Sequence, residues 1–408
     1  MRWQYACALV LAASACQEEQ APATPADTKD IQGARSPLVV SGAEVPTTTS
    51  RVAPLAVCRS RGKEPLEAAR AYYDDGQFDD ALSCAAQSAA LYPQEPQAHS
   101  ERGAALAALG RFDEAQLAYA RALALDPDHV DALLGAAHLY AIGLTSSRER
   151  DELAVLYAER GLELSEQAKD HELSARFALL SAMAFNDLGH ARDALERAEL
   201  ALKWRKGDAE ARYERAVALF ELCRFQEAKA AFLQILDDPQ RTAHAHHHLG
   251  LLHEREGKWQ RAEKYFAKAR ELDPEDFPLA QPISIEDFRA EVAMAVANLP
   301  EDMKKDLAHI PVTAEELPKD KDLLSGDPPL SPAILGLFRG PPLGEACTPG
   351  PGEDSREPCR SVALYRKNLA RAVKSREELL EQIRVTLLHE VGHLRGEDDD
   401  ELAARGLE

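Results

Sequence analysis

Five consecutive residues near the C-terminus could do chemistry together: His389-Glu390-Val391-Gly392-His393. On a helix, residues four apart share a face and lie about 6 Å from each other. Two imidazoles so placed can take two corners of a zinc tetrahedron. Glu390 directly follows the first histidine and points to the open side of such a metal. There it can accept a proton from zinc-bound water as that water attacks a carbonyl. Zinc needs a third protein ligand. Gly396 lets the chain turn in a left-handed conformation after the helix, which returns Asp399 towards the metal. The whole pattern is His-Glu-x-x-His-x-x-Gly-x-x-Asp, with Asp400 as a neighbouring rival for the third place. The plain alternative is a pair of surface histidines on a helix.

The motif needs a helix, and the sequence supplies one. Ser375-Arg376-Glu377-Glu378 reads as a capping box at its start. Leu379, Ile383, Val385, Leu387, Leu388 and Val391 give it an apolar face, and Gly396 ends it. Upstream, a helix is expected over about 285–298, with Phe288, Val292, Ala295 and Val296 as its apolar residues. A second, short helix should start after Pro300. Extended pieces follow near 310–313, 334–339 and 361–365. Residues 285–408 therefore read as a small α/β (α+β) domain, entered through a linker marked by Pro278, Pro282 and Ser284.

The middle of the chain is periodic. Ala81, Ala115, Ala194, Ala228 and Ala262 are spaced by 34, 79, 34 and 34 residues. Similar surroundings recur, as in Gly110-Arg111-Phe112-Asp113-Glu114-Ala115 and Gly257-Lys258-Trp259-Gln260-Arg261-Ala262. Pro93, Pro127 and Pro274 each stand twelve residues after their alanine, and Gly103 and Gly250 twelve before. Two amphipathic helices joined at Gly76, Gly110 or Gly257 explain the period. The small alanine lets the helices approach, and Tyr119, Phe232 or Phe266 fills the gap between units. Proline then closes each unit, because it cannot continue a helix. Over 64–275 the pattern resembles the tetratricopeptide repeat, with about six units. The third is enlarged by extra residues around 144–150 and 166–171. The resemblance implies a right-handed superhelix whose concave groove binds a protein or peptide.

His244, His246, His247, His248 and His253 lie on the first helix of the last unit. By the geometry of such repeats, His244 and His247 should line the groove. His244 and His248, four apart, could also share a metal; the plain reading is a polar helix surface.

The chain has 408 residues, 45% hydrophobic and 29% charged, which suits two or three folded domains and excludes a mainly disordered chain. Lys and Arg number 48 against 69 Asp and Glu, a net charge of −21. Nucleic acid is an unfit partner for so acidic a chain, because phosphate binding needs a basic footprint. Residues 1–15 read as a secretory signal: Arg2, an apolar run from 5 to 13, then Ser14-Ala15. Cys16 after small residues resembles a bacterial lipoprotein signal, although Ala13 stands where Leu is usual. That resemblance implies lipid on Cys16 and a membrane anchor. With Gln17 rather than Asp next, it implies the outer membrane, facing the periplasm or the cell surface. Cleavage after Ala15 without lipid is the alternative. Residues 16–57 form a flexible spacer rich in Ala, Pro and Thr. In an exported chain, a Cys347–Cys359 disulfide would staple a Pro/Gly-rich loop. Cys58 and Cys84 are a second candidate pair, leaving Cys223 as the odd thiol. With no CxxC spacing, a cysteine zinc site or thioredoxin-like redox site is not expected.

Residues 285–408 resemble the small bacterial zincin-like metallopeptidases. The resemblance rests on Leu387-Leu388-His389-Glu390-Val391-Gly392-His393, on 396–402, on Leu335-Gly336-Leu337-Phe338-Arg339-Gly340 and on Val362-Ala363-Leu364-Tyr365-Arg366. It implies zinc on His389, His393 and Asp399, with Glu390 as the base. Arg395 departs from the pattern, where an aromatic is common, and the loop 341–360 is longer and holds two cysteines. The fold expected is mostly α: a tetratricopeptide-repeat superhelix followed by a zincin-like domain. The function expected is zinc-dependent peptide-bond hydrolysis, with the repeats recruiting a partner or substrate. Two alternatives stand beside it. One is a cell-envelope repeat scaffold whose zinc domain is structural or inactive. The other is hydrolysis of a different carbonyl, such as a cell-wall amide.

Overall fold

The computed structural model describes residues 56–61, 64–347 and 358–407. The expected signal 1–15, the lipid site Cys16 and nearly all of the spacer 16–57 lie outside the described residues. Among those described, no helix is long and apolar enough to cross a membrane.

Six helix pairs follow one another: Pro65–Asp74 with Phe78–Leu91, Pro96–Ala108 with Phe112–Leu125, Val130–His138 with Arg148–Gln167, His171–Asp187 with Ala191–Trp204, Ala209–Glu221 with Phe225–Leu233, and Thr242–Arg255 with Trp259–Leu272. The five periodic alanines are all buried, none more than 2% exposed. What packs beside them follows from sterics. The Tyr119 ring lies so close to Gly103 and Gly135 that a methyl group on either would stand within 2.8 Å of it. Gly103 belongs to the same unit and Gly135 to the next, so one aromatic ring joins two units. Phe177 of the fourth unit against Gly161 of the third, and Phe266 against Gly250 within the last unit, leave as little room for a methyl group. The third pair is enlarged as expected: its first helix ends in a π-turn, Leu139–Gly143, and its second runs for 20 residues. A short helix, Ala56–Arg61, precedes the array and is tied to it by a Cys58–Cys84 disulfide.

Three strands, β1 (Val312–Glu315), β2 (Gly336–Arg339) and β3 (Ser361–Tyr365), form the sheet of the C-terminal domain. β3 is central, parallel to β1 and antiparallel to β2, so β2 is an edge. Every β3 residue is buried. The sheet packs on the helix Arg376–Arg395, which carries the His-Glu motif, and on the helix Ile285–Ala297. Phe288, Val292, Val362, Leu364, Leu379, Ile383, Leu387 and Val391 form one core. Burying each such side chain contributes roughly 1.5–3 kcal/mol, which holds the motif helix against the sheet. At its start, Ser375 Oγ accepts from the Glu378 N–H at 3.1 Å, as a cap should. The return bond of the expected capping box is displaced by one residue: Glu378 accepts from the N–H of Lys374, not of Ser375.

The C-terminal domain is docked on the repeats. Glu254 of the last unit pairs with Lys367 at 2.7 Å and with Arg371. Arg255 pairs with Asp320 at 2.6 Å, and the Cys223 thiol faces the Leu330 carbonyl at 3.7 Å. The linker joins in, with the Gln281 N–H donating to the Ala370 carbonyl at 2.8 Å.

Candidate metal centre

The motif helix presents His389 and His393 on one face, with their Nε2 atoms 2.9 Å apart. Each ring is oriented by a backbone carbonyl. His389 Nδ1 lies 2.6 Å from Leu407 O, and His393 Nδ1 lies 3.0 Å from Glu397 O. A carbonyl only accepts, so the proton sits on Nδ1 and each Nε2 keeps a lone pair for a cation. Asp399 Oδ1 lies 3.2 Å from His393 Nε2 and 3.6 Å from His389 Nε2. These three donors are the one group of its kind among the described residues that could hold a metal ion. Two neutral nitrogens and one carboxylate oxygen converging on a point match a three-ligand zinc site with a position left for water or substrate. The Asp399 side chain is 82% exposed, so that position opens to solvent.

Asp399 reaches the histidines through two steric features. Gly396 caps the motif helix in the left-handed region, at φ 91°. A short helix, Asp399–Ala403, then folds back, and its Leu402 packs so tightly on Gly392 that a methyl there would stand 2.3 Å away. Asp398 caps this helix in a full capping box with Glu401. Asp398-x-x-Glu401 is legible in the sequence as a helix start, but the sequence reading treated 397–408 only as a returning chain. Asp400 Oδ1, by contrast, meets Arg148 of the repeat array at 3.1 Å.

Glu390 is 6% exposed. It lies against Gly336 of β2, where any added methyl would stand 2.7 Å from its carboxylate. Its Oε2 accepts the Phe338 N–H at 2.5 Å. Burial pushes the Glu390 carboxyl up to about 8; the Phe338 N–H opposes the shift, and the negative charge of Asp399 adds to it. A carboxyl in such surroundings can hold or release a proton near neutrality, which suits a general base. Sequence reasoning missed the roles of the Phe338 N–H, Leu407 O and Glu397 O, because a main-chain group leaves no signature in residue type.

Two other features border the site. Cys347 and Cys359 form a disulfide. The base of their loop is held by Arg360, which donates to the carbonyls of Pro341, Pro342 and Glu345, and by the Leu343 N–H on Leu394 O. Arg395, in place of the usual aromatic, pairs with Asp302 and Asp306 at 2.7 and 2.6 Å.

The histidine run of the last repeat needs correction. His244 does not line the groove. It is 7% exposed and sits edge-on between the rings of Tyr213 and Phe277. His248 is buried, stacked on Phe232, with its Nδ1 at the His244 carbonyl, so the pair forms part of the core and not a metal site or a polar surface. His247 does line a cavity, but one closed by the linker and the metal domain, where its ring stacks on Phe277. The reason is Phe277: once the chain leaves the array it folds back over this helix, which the repeat period could not indicate.

Residues 307–407 match the family model of zincin-like metallopeptidases. Residues 66–129, 105–168 and 243–276 match models of the tetratricopeptide repeat. The chain thus consists of a tetratricopeptide-repeat array followed by a zincin-like metallopeptidase domain. No curated protein matches it in sequence. Similar solved structures include YrrB, described as a tetratricopeptide-repeat protein with an unusual peptide-binding site, at 18% identity, covering 47% of this chain and 93% of that one with a TM-score of 0.38. PilF of Pseudomonas aeruginosa is 17% identical over 56% of this chain and 96% of its own, with a TM-score of 0.42. A tetratricopeptide repeat protein of Parabacteroides merdae is 18% identical over 51% of this chain and 77% of its own, with a TM-score of 0.37.

Proposed function

We propose that this chain is a zinc-dependent peptidase of the cell envelope whose repeats recruit a protein partner or substrate. The observation that carries the reading is the convergence of His389 Nε2, His393 Nε2 and Asp399 Oδ1 beside the buried Glu390. His389 and His393 would hold the metal through Nε2 and Asp399 through its carboxylate. Zinc, when bound in such a site, makes water nucleophilic near neutral pH and polarises a carbonyl. Glu390 takes the proton of the attacking water and later delivers it to the leaving amine. The Phe338 N–H holds the Glu390 carboxylate in place for that transfer. Leu407 O and Glu397 O fix the two rings in the tautomer that ligation requires. Tetratricopeptide repeats generally bind proteins or peptides, and a substrate held by the array gains effective concentration at the metal. The N-terminal sequence supports export, with lipid on Cys16 as the anchor to the outer membrane.

The test compares cleavage of cell-envelope proteins by the intact protein and by Glu390→Gln, read by mass spectrometry of new termini. Glu390→Gln keeps shape and metal but cannot take a proton. Cleavage should fall by at least about a hundredfold with zinc content unchanged. Equal cleavage by the variant would refute the mechanism. Partner binding without turnover by the intact protein would favour a scaffold.

A further inference from the structure

The cavity that His247 lines has a volume of about 710 Å³ and lies where the last repeat, the linker and the metal domain meet. Its size is that of a small-molecule site, and such sites favour domain junctions. The walls are largely apolar, with Phe266, Phe277, Leu251 and Leu279 among them. His247 belongs to that apolar wall: burial holds its imidazole well below the ordinary range, so it is neutral.

The charges are not balanced. Glu254, 5% exposed, is a single carboxylate placed between Lys367 and Arg371. One negative group against two positive ones leaves this buried cluster with an excess positive charge, in a chain whose net charge is −21. Of the other acids nearby, Glu263 pairs with Arg270 at 3.1 Å and Glu316 with Arg366 at 2.6 Å, and both also act on Lys367 from a distance. Aromatic faces supply only partial compensation, from Trp259 under Lys367 and Phe266 under Arg371. Burial correspondingly lowers the pKa of both cations, that of Arg371 to about 10. A second, independent sign comes from Arg255. Its side chain is 10% exposed and lines the same cavity, yet Nε and Nη1 are buried without a hydrogen-bond acceptor. Buried donors of this kind are costly unless something accepts from them.

We propose that this cavity binds a small apolar monocarboxylate: an aliphatic or aromatic body against the Phe266 and Phe277 walls, and one carboxylate head among Lys367, Arg371 and Arg255. The head supplies the missing negative charge, and the body removes apolar surface from water. Because the linker forms one wall, the ligand would also fasten the metal domain to the repeats.

The test uses the full chain and decanoate, titrated calorimetrically, with decanol and decylamine as the uncharged and cationic counterparts. Decanoate should bind once per chain, at least tenfold more tightly than decanol, and decylamine should not bind. Two variants localise the site. Lys367→Met removes the excess cation and leaves Glu254 paired with Arg371. Ala280→Trp, in the linker, fills the cavity without changing any charge. Each should weaken decanoate at least tenfold while the far-ultraviolet circular dichroism stays that of the parent. Absence of decanoate binding, comparable binding of decylamine, or unchanged affinity in both variants would overturn the proposal. The last result would place the carboxylate elsewhere, as at the metal.

Discussion

The repeat array and the metal domain both depend on glycines pressed against bulky side chains, but in different ways. In the array one device recurs: an aromatic ring against a glycine of a neighbouring helix, as in Tyr119 on Gly103, Phe177 on Gly161 and Phe266 on Gly250. In the metal domain each close approach occurs once. Gly336 makes room for Glu390, and Gly392 makes room for Leu402, which holds the Asp399 helix. A repeated contact shares stability among neighbours, so a lost unit is a local loss. A contact made once has no substitute, and the placing of the proposed ligands depends on it. The difference shows that the array is built for surface and the C-terminal domain for position.

This contrast can be broken most decisively at the ligands. His393→Ala should abolish zinc binding, because two remaining donors do not make a three-ligand site. Asp399→Ala should weaken binding strongly and Asp400→Ala scarcely, since Asp400 faces Arg148. Zinc analysis after dialysis would show this order, and unchanged zinc in His393→Ala would refute the site. On the array side, the largest effect should come from Cys58→Ser with Cys84→Ser. The bridge spans 26 residues, for which the chain-entropy model gives about 3.5 kcal/mol. Denaturant unfolding should show that loss with zinc content intact.

A subtler change should separate position from stability. Gly392→Ala places a methyl 2.3 Å from Leu402 Cδ2, and such overpacking costs about 1–3 kcal/mol. Because Leu402 anchors the Asp399 helix, zinc affinity should fall along with stability. The equivalent change in the array, Gly250→Ala against Phe266, should cost stability and leave zinc affinity as it was.

A pH-dependent effect concerns the seam between the regions. Glu221 of the fifth unit faces Ser331 of the metal domain, and its Oε1 is buried without a partner. Burial pushes its carboxyl up to about 7, with the Ser331 hydrogen bond opposing the shift. A folded carboxyl with a raised pKa binds a proton that the unfolded chain has already released. Its contribution is therefore fully present below the unfolded pKa, near 4.5, declines as pH rises towards 7, and is gone above it. Glu221→Gln should flatten that slope in unfolding curves taken between pH 4.5 and 7.5. An equal slope in both proteins would show that other groups set it.

Much of this was legible in the chain itself. The alanine period and the prolines gave the helix pairs, because a 34-residue repeat can bury its apolar faces only by stacking. The apolar face from Leu379 to Val391 and the Ser375 cap placed the motif helix, and Gly396 marked its end. The strands near 312, 336 and 361 were expected within two residues, since short apolar runs between turns have few other options. The pairing of Cys347 with Cys359 followed from a Pro/Gly-rich loop that a bridge would close.

What the sequence by itself determined is the set of local choices: which segments coil, where they stop, and which residue types could bind a metal. Only the tertiary structure brings Asp399 beside the histidines and Asp400 to Arg148, because adjacent carboxylates are chemically alike and differ only in what they face. It alone showed that Leu407 O, Glu397 O and the Phe338 N–H orient the site, since every residue carries such groups and only the fold brings one to a given side chain. It alone buried His244 under Phe277 and closed the end of the array with the metal domain. Those outcomes depend on contacts between segments far apart in the chain, where packing and charge burial choose among arrangements that local sequence leaves equal.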